Sequence, residues 1–188
     1  MKQTAARVIR VCTVPPVMAA LLILVLHTAL PDSLPAVHMW VALVFLTVLP
    51  CLAYPVCALI PKLRRGGRKT QRTAAVIFSV VGYVAGVAWS LWRGGDIERM
   101  MYFTYLFTGI AIAVCDRCFA FKASGHAGGT AGPIVMLAAA VSPWYAALVL
   151  LLAAVWWSSL TLGRHTVRQL AVGSMIPAVG LALAWLIF

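Results

Sequence analysis

Three polar segments hold the side chains able to do chemistry in this chain, and apolar runs separate each from the next. The first is Lys62-Leu63-Arg64-Arg65-Gly66-Gly67-Arg68-Lys69-Thr70-Gln71-Arg72, six cations in eleven residues. Such a cluster either anchors a membrane protein against anionic headgroups or grips a phosphate, for which the planar guanidinium fork is well shaped. The second is Lys122-Ala123-Ser124-Gly125-His126-Ala127-Gly128-Gly129. Placed at a helix start, its backbone donors at Ser124, Gly125 and His126 would face an anion, with Lys122 adding charge and Gly125 allowing close approach. Equally, Gly128-x-x-x-Gly132 suits close helix packing. The third is Gly163-Arg164-His165-Thr166-Val167-Arg168-Gln169. If the helix has begun by His165, Gln169 shares its face and can accept a hydrogen bond from one ring nitrogen, leaving the other free to attack or to carry a proton. An interfacial histidine beside topology arginines is the plainer alternative.

The elements that must position these segments are membrane helices. Of the 188 residues 63% are hydrophobic and 10% charged, and the mean hydropathy is +0.98, well outside the range of soluble domains. The runs stay apolar on every face, which excludes the alternation of a lipid-spanning strand. The expected fold is all-α, a polytopic transmembrane bundle of six to seven spans forming one domain over residues 1–188. The spans are placed near 11–30, 38–61, 74–92, 100–121, 127–141, 142–162 and 168–188. The run 127–141 is shorter than the roughly 20 residues a straight span needs, so a re-entrant path is open to it. Pro50 and Pro55 should kink the second span.

Seven spans put the N-terminus and the loops after spans two, four and six on one face, and the cations follow that parity. Lys2, Arg7 and Arg10, then the first cluster, then Arg117 and Lys122, then Arg164 and Arg168 all fall on it, whereas Arg93 and Arg99 fall on the other. The positive-inside rule makes the crowded face cytoplasmic, in the plasma (cell inner) membrane. The net charge of +11 is spread over short juxtamembrane segments, so the expected partners are the lipid bilayer and its anionic headgroups and not nucleic acid. The same parity brings His126 and His165 together among cations. Phosphoryl transfer uses such parts: a nucleophile, a proton donor and fixed donors around the equatorial oxygens.

In order and type these residues resemble the type 2 phosphatidic acid phosphatase and vanadium haloperoxidase superfamily. Its motifs are K-x6-R-P, P-S-G-H and S-R-x5-H-x3-D. Arg65-x6-Arg72 approximates the first, with Thr73 in place of proline, and Ser124-Gly125-His126 matches the core of the second after Ala123. In the third His165 is present, but Ser158-Ser159 stands for Ser-Arg and Gln169 for the aspartate. The likeness covers roughly 62–188. It implies a lipid phosphate phosphatase without metal or cofactor, in which His165 forms a phosphohistidine and His126 protonates the leaving group. By the same likeness Arg65, Arg72, Lys122, Ser124 and Gly125 bind phosphate and Gln169 orients His165, while Arg164 or Arg168, neither at the motif's spacing, could stand in for the missing arginine. The substrate would be a phosphorylated membrane lipid, a prenyl or glycerolipid phosphate. The competing expectation is a lipid-phosphate binder or transport component with a degenerate site. Redox chemistry at Cys115-Asp116-Arg117-Cys118 is a weaker third reading, since the spacing equally places two thiols one helical turn apart. His27 and His38, on the far face, have no expected carboxylate neighbour beyond Asp32, which gives a metal site little support. Gly82-x-x-x-Gly86 could pair helices within the chain or between copies in a homo-oligomer.

Overall fold

The structure is a computed structural model that describes residues 1–188 apart from the side chain of Lys69. The chain is an all-α polytopic bundle. In order, its helices are α1 (Lys2–Cys12), α2 (Pro15–Ala29), α3 (Ala36–Leu59), α4 (Pro61–Arg65), α5 (Gly67–Arg93), α6 (Asp96–Cys118), α7 (Gly125–Ala140), α8 (Pro143–Thr161) and α9 (Val167–Ile187). Five of them, α3, most of α5 (Thr70–Arg93), α6, α8 and α9, are long and apolar enough to cross a membrane, and the bent pair α1 and α2 makes up to six. Their outward faces stay apolar, with Leu150 75% and Trp144 88% exposed. Water would not tolerate so much bare apolar surface, and lipid does.

Two expected spans take a different form. The run 11–30 is preceded by a helix that starts at Lys2, and α1 meets α2 at 51°. The cause is local: Val14 precedes Pro15, which disfavours the helical conformation there, and Val14 is extended at φ −60, ψ 144. Pro15 and Pro16 then open α2, where the donors they lack are not needed. The run 127–141 becomes α7, a helix of 16 residues, about 24 Å long and short of a full hydrocarbon core. It is the inner helix of the bundle, with Ala127, Gly128, Thr130 through Ile134, Met136 and Leu137 all buried. In α3 the disturbance expected at the prolines appears as a π-helical turn over Val44–Val48, just ahead of Pro50.

Glycine sets how closely the helices meet. A Cβ on Gly128 would stand 2.9 Å from the Gly173 carbonyl oxygen, and one on Gly173 would strike the Ser124 backbone, so α7 and α9 touch main chain to main chain. Gly82 lies against the Phe45 carbonyl of α3 and Gly86 against the Tyr102 ring of α6, so that pair of glycines serves packing inside one chain. Around this contact α9 packs on α6 and α7, α3 on α5, α5 on α6, α2 on α7 and α1 on α8.

Candidate active site

The loop between α8 and α9 is built to hold His165 in place. Gly163, at φ +60, takes the left-handed conformation that ends α8. Its N–H bonds the Leu160 carbonyl at 3.0 Å and that of Arg164 bonds Ser159 at 2.9 Å, the paired bonds of a Schellman motif. Thr166 then caps α9 in a capping box with Gln169. His165 therefore precedes the helix, and the face-sharing route to Gln169 gives way to the cap. Gln169 Oε1 accepts from the Thr166 N–H at 3.1 Å and lies 3.2 Å from His165 Nδ1. An oxygen already accepting there makes Nδ1 the donor and leaves the lone pair on Nε2.

His126 sits in the first turn of α7, capped by Ser124, whose buried hydroxyl accepts from the Ala127 N–H at 3.3 Å. Of the three backbone donors expected to face an anion, that of Ser124 is spent on the Gln169 carbonyl at 3.0 Å, which ties this turn to the start of α9. Gly125 and His126 keep theirs as helix-start donors. A Cβ on Gly125 would meet only Ile112, at 3.9 Å, so open space lies beside that turn.

The third wall comes from α1, which carries none of the expected site residues. Thr13 donates its hydroxyl proton to the Ile9 carbonyl at 2.7 Å and lies 3.0 Å from His126 Nε2, so it accepts from that nitrogen. Arg10, half-buried, places Nη1 3.1 Å from Ser159 Oγ. Ser158 Oγ donates to the Ala6 carbonyl at 2.6 Å and docks the same helix on α8. Ala6 and Arg10 are one turn apart, so the face of α1 that is buried also delivers the guanidinium.

The electrostatics are those of a cation cluster. Burial, then the charges of Arg164 and Arg72, oppose ionisation of Arg10. Burial, followed by Arg10 and then His165, pushes the His126 ring down to about 4. His165 is also lowered, by burial and then by Arg10 and Lys122, against the opposing hydrogen bonds of Gln169 and the Lys122 backbone. His126, His165, Lys122, Arg72, Arg164, Ser124, Gly125 and Gln169 thus gather at one end of the bundle. Arg65 ends α4 and is exposed, and its side chain has no hydrogen bond or ion pair among the described residues; the Gly66-Gly67 break lies between it and Arg72 on α5. The described ion pairs, His38 with Glu98 at 2.7 Å and Arg99 with Asp96 at 3.0 Å, both lie at the far end. Glu98 corrects the expectation that His38 has no carboxylate neighbour beyond Asp32. Among the described residues no group of three or more His, Cys, Asp or Glu could hold a metal.

An apolar groove of about 320 Å³ starts beside this site and runs along the bundle. Val76 and Val80 of α5, Thr108 and Ile112 of α6, and Gly125 and Gly128 of α7 line it. Val76 is 61% exposed, so the groove opens sideways, toward lipid.

Fold and site together define a polytopic helical bundle with a cationic cluster around two histidines at one end. No family model, curated protein or solved structure matches the chain.

Proposed function

We propose that this protein is a membrane-embedded lipid phosphatase that hydrolyses a phosphomonoester or diphosphate of a prenyl or glycerolipid. The observation that carries the reading is that the sideways-opening apolar groove reaches Gly125, the residue before His126 in the cationic two-histidine cluster. Such a site suits a molecule with an anionic head and a long apolar tail.

His165 Nε2 attacks phosphorus while the ester P–O bond breaks, and the leaving oxygen takes a proton from His126. Water then attacks the phosphohistidine, giving its proton back to His126, and inorganic phosphate leaves as His165 is restored. Arg72, Lys122 and Arg164 supply positive charge for the equatorial oxygens, and the Gly125 and His126 N–H groups supply directed donors. His126 is neutral in the empty site, and a phosphate dianion beside it favours the imidazolium, so binding itself loads the proton donor. The cation-rich end faces the cytoplasm of the cell inner membrane by the positive-inside rule. Labelling of cysteines placed at Gly66 and Gly163 only from outside would reverse that orientation.

The test is phosphate release from a panel of lipid phosphates by the purified protein and its His165→Ala variant. Turnover by the wild type, lost in the variant, supports the proposal; equal turnover by both refutes it. A second reading rests on Gln169. An amide orients the imidazole but brings no negative charge to balance its protonated form, which suits a lipid-phosphate binder or transport protein without turnover. Binding of the panel with no release of phosphate selects that reading.

A further inference from the structure

Arg10 is a cation with no anion. Ser159 accepts one of its five N–H bonds at 3.1 Å, and no carboxylate pairs with it among the described residues. Its neighbours in charge are Arg164 and Arg72, of its own sign. Half-burying a guanidinium among like charges is unfavourable unless a negative group completes the site. The rest of α1 fixes where that charge sits. Ser158 and Ser159 are 1% and 0% exposed and hold the helix at Ala6 and Arg10, while Thr13 holds it to His126. The outward face of α1 carries Lys2 and Arg7 beside the exposed Val8 and Val11, as in a helix lying at a membrane surface.

We infer that Arg10 is a phosphate ligand of this pocket, delivered by the surface helix α1 and aimed by Ser159. The inference rests on the pocket taking a phosphate group, and it deepens the phosphatase reading by adding a binding residue from outside the three polar segments. Ser159 stands where the family resemblance expects an arginine, so the guanidinium reaches that neighbourhood from another helix, 149 residues away in sequence.

The test uses the full chain purified in detergent, with inorganic phosphate as the probe and binding read by calorimetry. Arg10→Ala is expected to weaken phosphate affinity by about 10-fold or more, the loss of a charge-assisted, forked contact. Arg10→Lys should fall between wild type and Arg10→Ala, because it keeps the charge and loses the fork. The double variant Arg10→Ala/Ser159→Arg, which returns a guanidinium from α8, should recover part of the affinity. A merely structural Arg10 would not be rescued in this way. Phosphate affinity within two-fold of wild type in Arg10→Ala overturns the inference, as does a wild type that binds no phosphate. Should Arg10→Ala fail to fold, Arg10→Lys decides: affinity equal to wild type overturns the inference, and a loss upholds it. Parallel assays on lipid phosphates separate the two proposals. Arg10-dependent phosphate binding without hydrolysis removes the phosphatase reading and keeps Arg10, and hydrolysis with Arg10-independent binding does the reverse.

Discussion

His38 and His165 lie at opposite ends of the bundle, and each sets Nδ1 against a side-chain oxygen, but the oxygens differ. His38 meets Oε2 of Glu98, a carboxylate that is 0% exposed, at 2.7 Å. His165 meets the amide oxygen of Gln169 at 3.2 Å, with cations beyond it. A carboxylate supplies the negative charge that the ring and its neighbours want, and so fills the place an incoming anion would take. An amide orients the ring and leaves that place open. The first arrangement ties α3 to α6, whereas the second keeps a nitrogen lone pair among cations unpaired within the described residues.

The sharpest way to break this contrast is to delete each histidine and measure both rate and stability. His165→Ala should lower phosphate release by about 10³-fold or more, whereas His38→Ala should leave the rate within about three-fold. A comparable loss of rate in both variants would erase the distinction. Stability should invert the order. Removing His38 leaves the Glu98 carboxylate buried and unpaired, at a cost of about 3 kcal/mol or more in chemical denaturation, and His165→Ala should change it by less than about 1 kcal/mol.

Acid sharpens the contrast further. The His126 ring titrates near 4 in the fold and near its ordinary 6.5 when unfolded, so the unfolded chain takes up the proton first as pH falls. The stability this group contributes is complete above 6.5 and is lost progressively toward 4, by at most about 3 kcal/mol. Unfolding curves across that window should show the loss, His126→Gln should flatten it, and added inorganic phosphate should reduce it by favouring the imidazolium.

Converting one end toward the other gives a smaller effect. Gln169→Asp puts a carboxylate beside His165, which raises the ring's affinity for a proton and stabilises its developing charge. Turnover should rise on the order of 10-fold, and the acid limb of the rate profile should move to higher pH. No gain in rate would show that the amide already suffices. The smallest effect belongs to the scaffold: Ser124→Ala removes the α7 cap and should cost about 1 kcal/mol, read as a lower midpoint in denaturant.

The helical bundle was legible because apolar runs and basic flanks report directly on lipid and its interface. The pairing of His165 with Gln169 was legible from a spacing of four, although the chain achieves it through a cap and not along a helix face. Arg10 and Thr13 were not, since their partners stand 149 and 113 residues away and no local pattern links them. Arg10 reads in sequence as one more flanking cation, and only the 51° bend at Val14 turns it into the pocket. The doubled proline at 15 and 16 was the available signal for that bend. The spacing of Arg65 to Arg72 was legible, but not the Gly66-Gly67 break that puts them on separate helices. Glu98 shows how little a lone acid near a span end reveals, because its partner lies 60 residues earlier in the chain.

If the proposed lipid phosphate is the ligand, the sideways opening of the groove at Val76 sets how the site would sample it. A molecule that enters from the bilayer never leaves it, so its tail is not carried through water and its encounters are those of diffusion in two dimensions. What governs occupancy is then the share of that lipid in the surrounding leaflet, a surface density, and not any amount dissolved in the surrounding water.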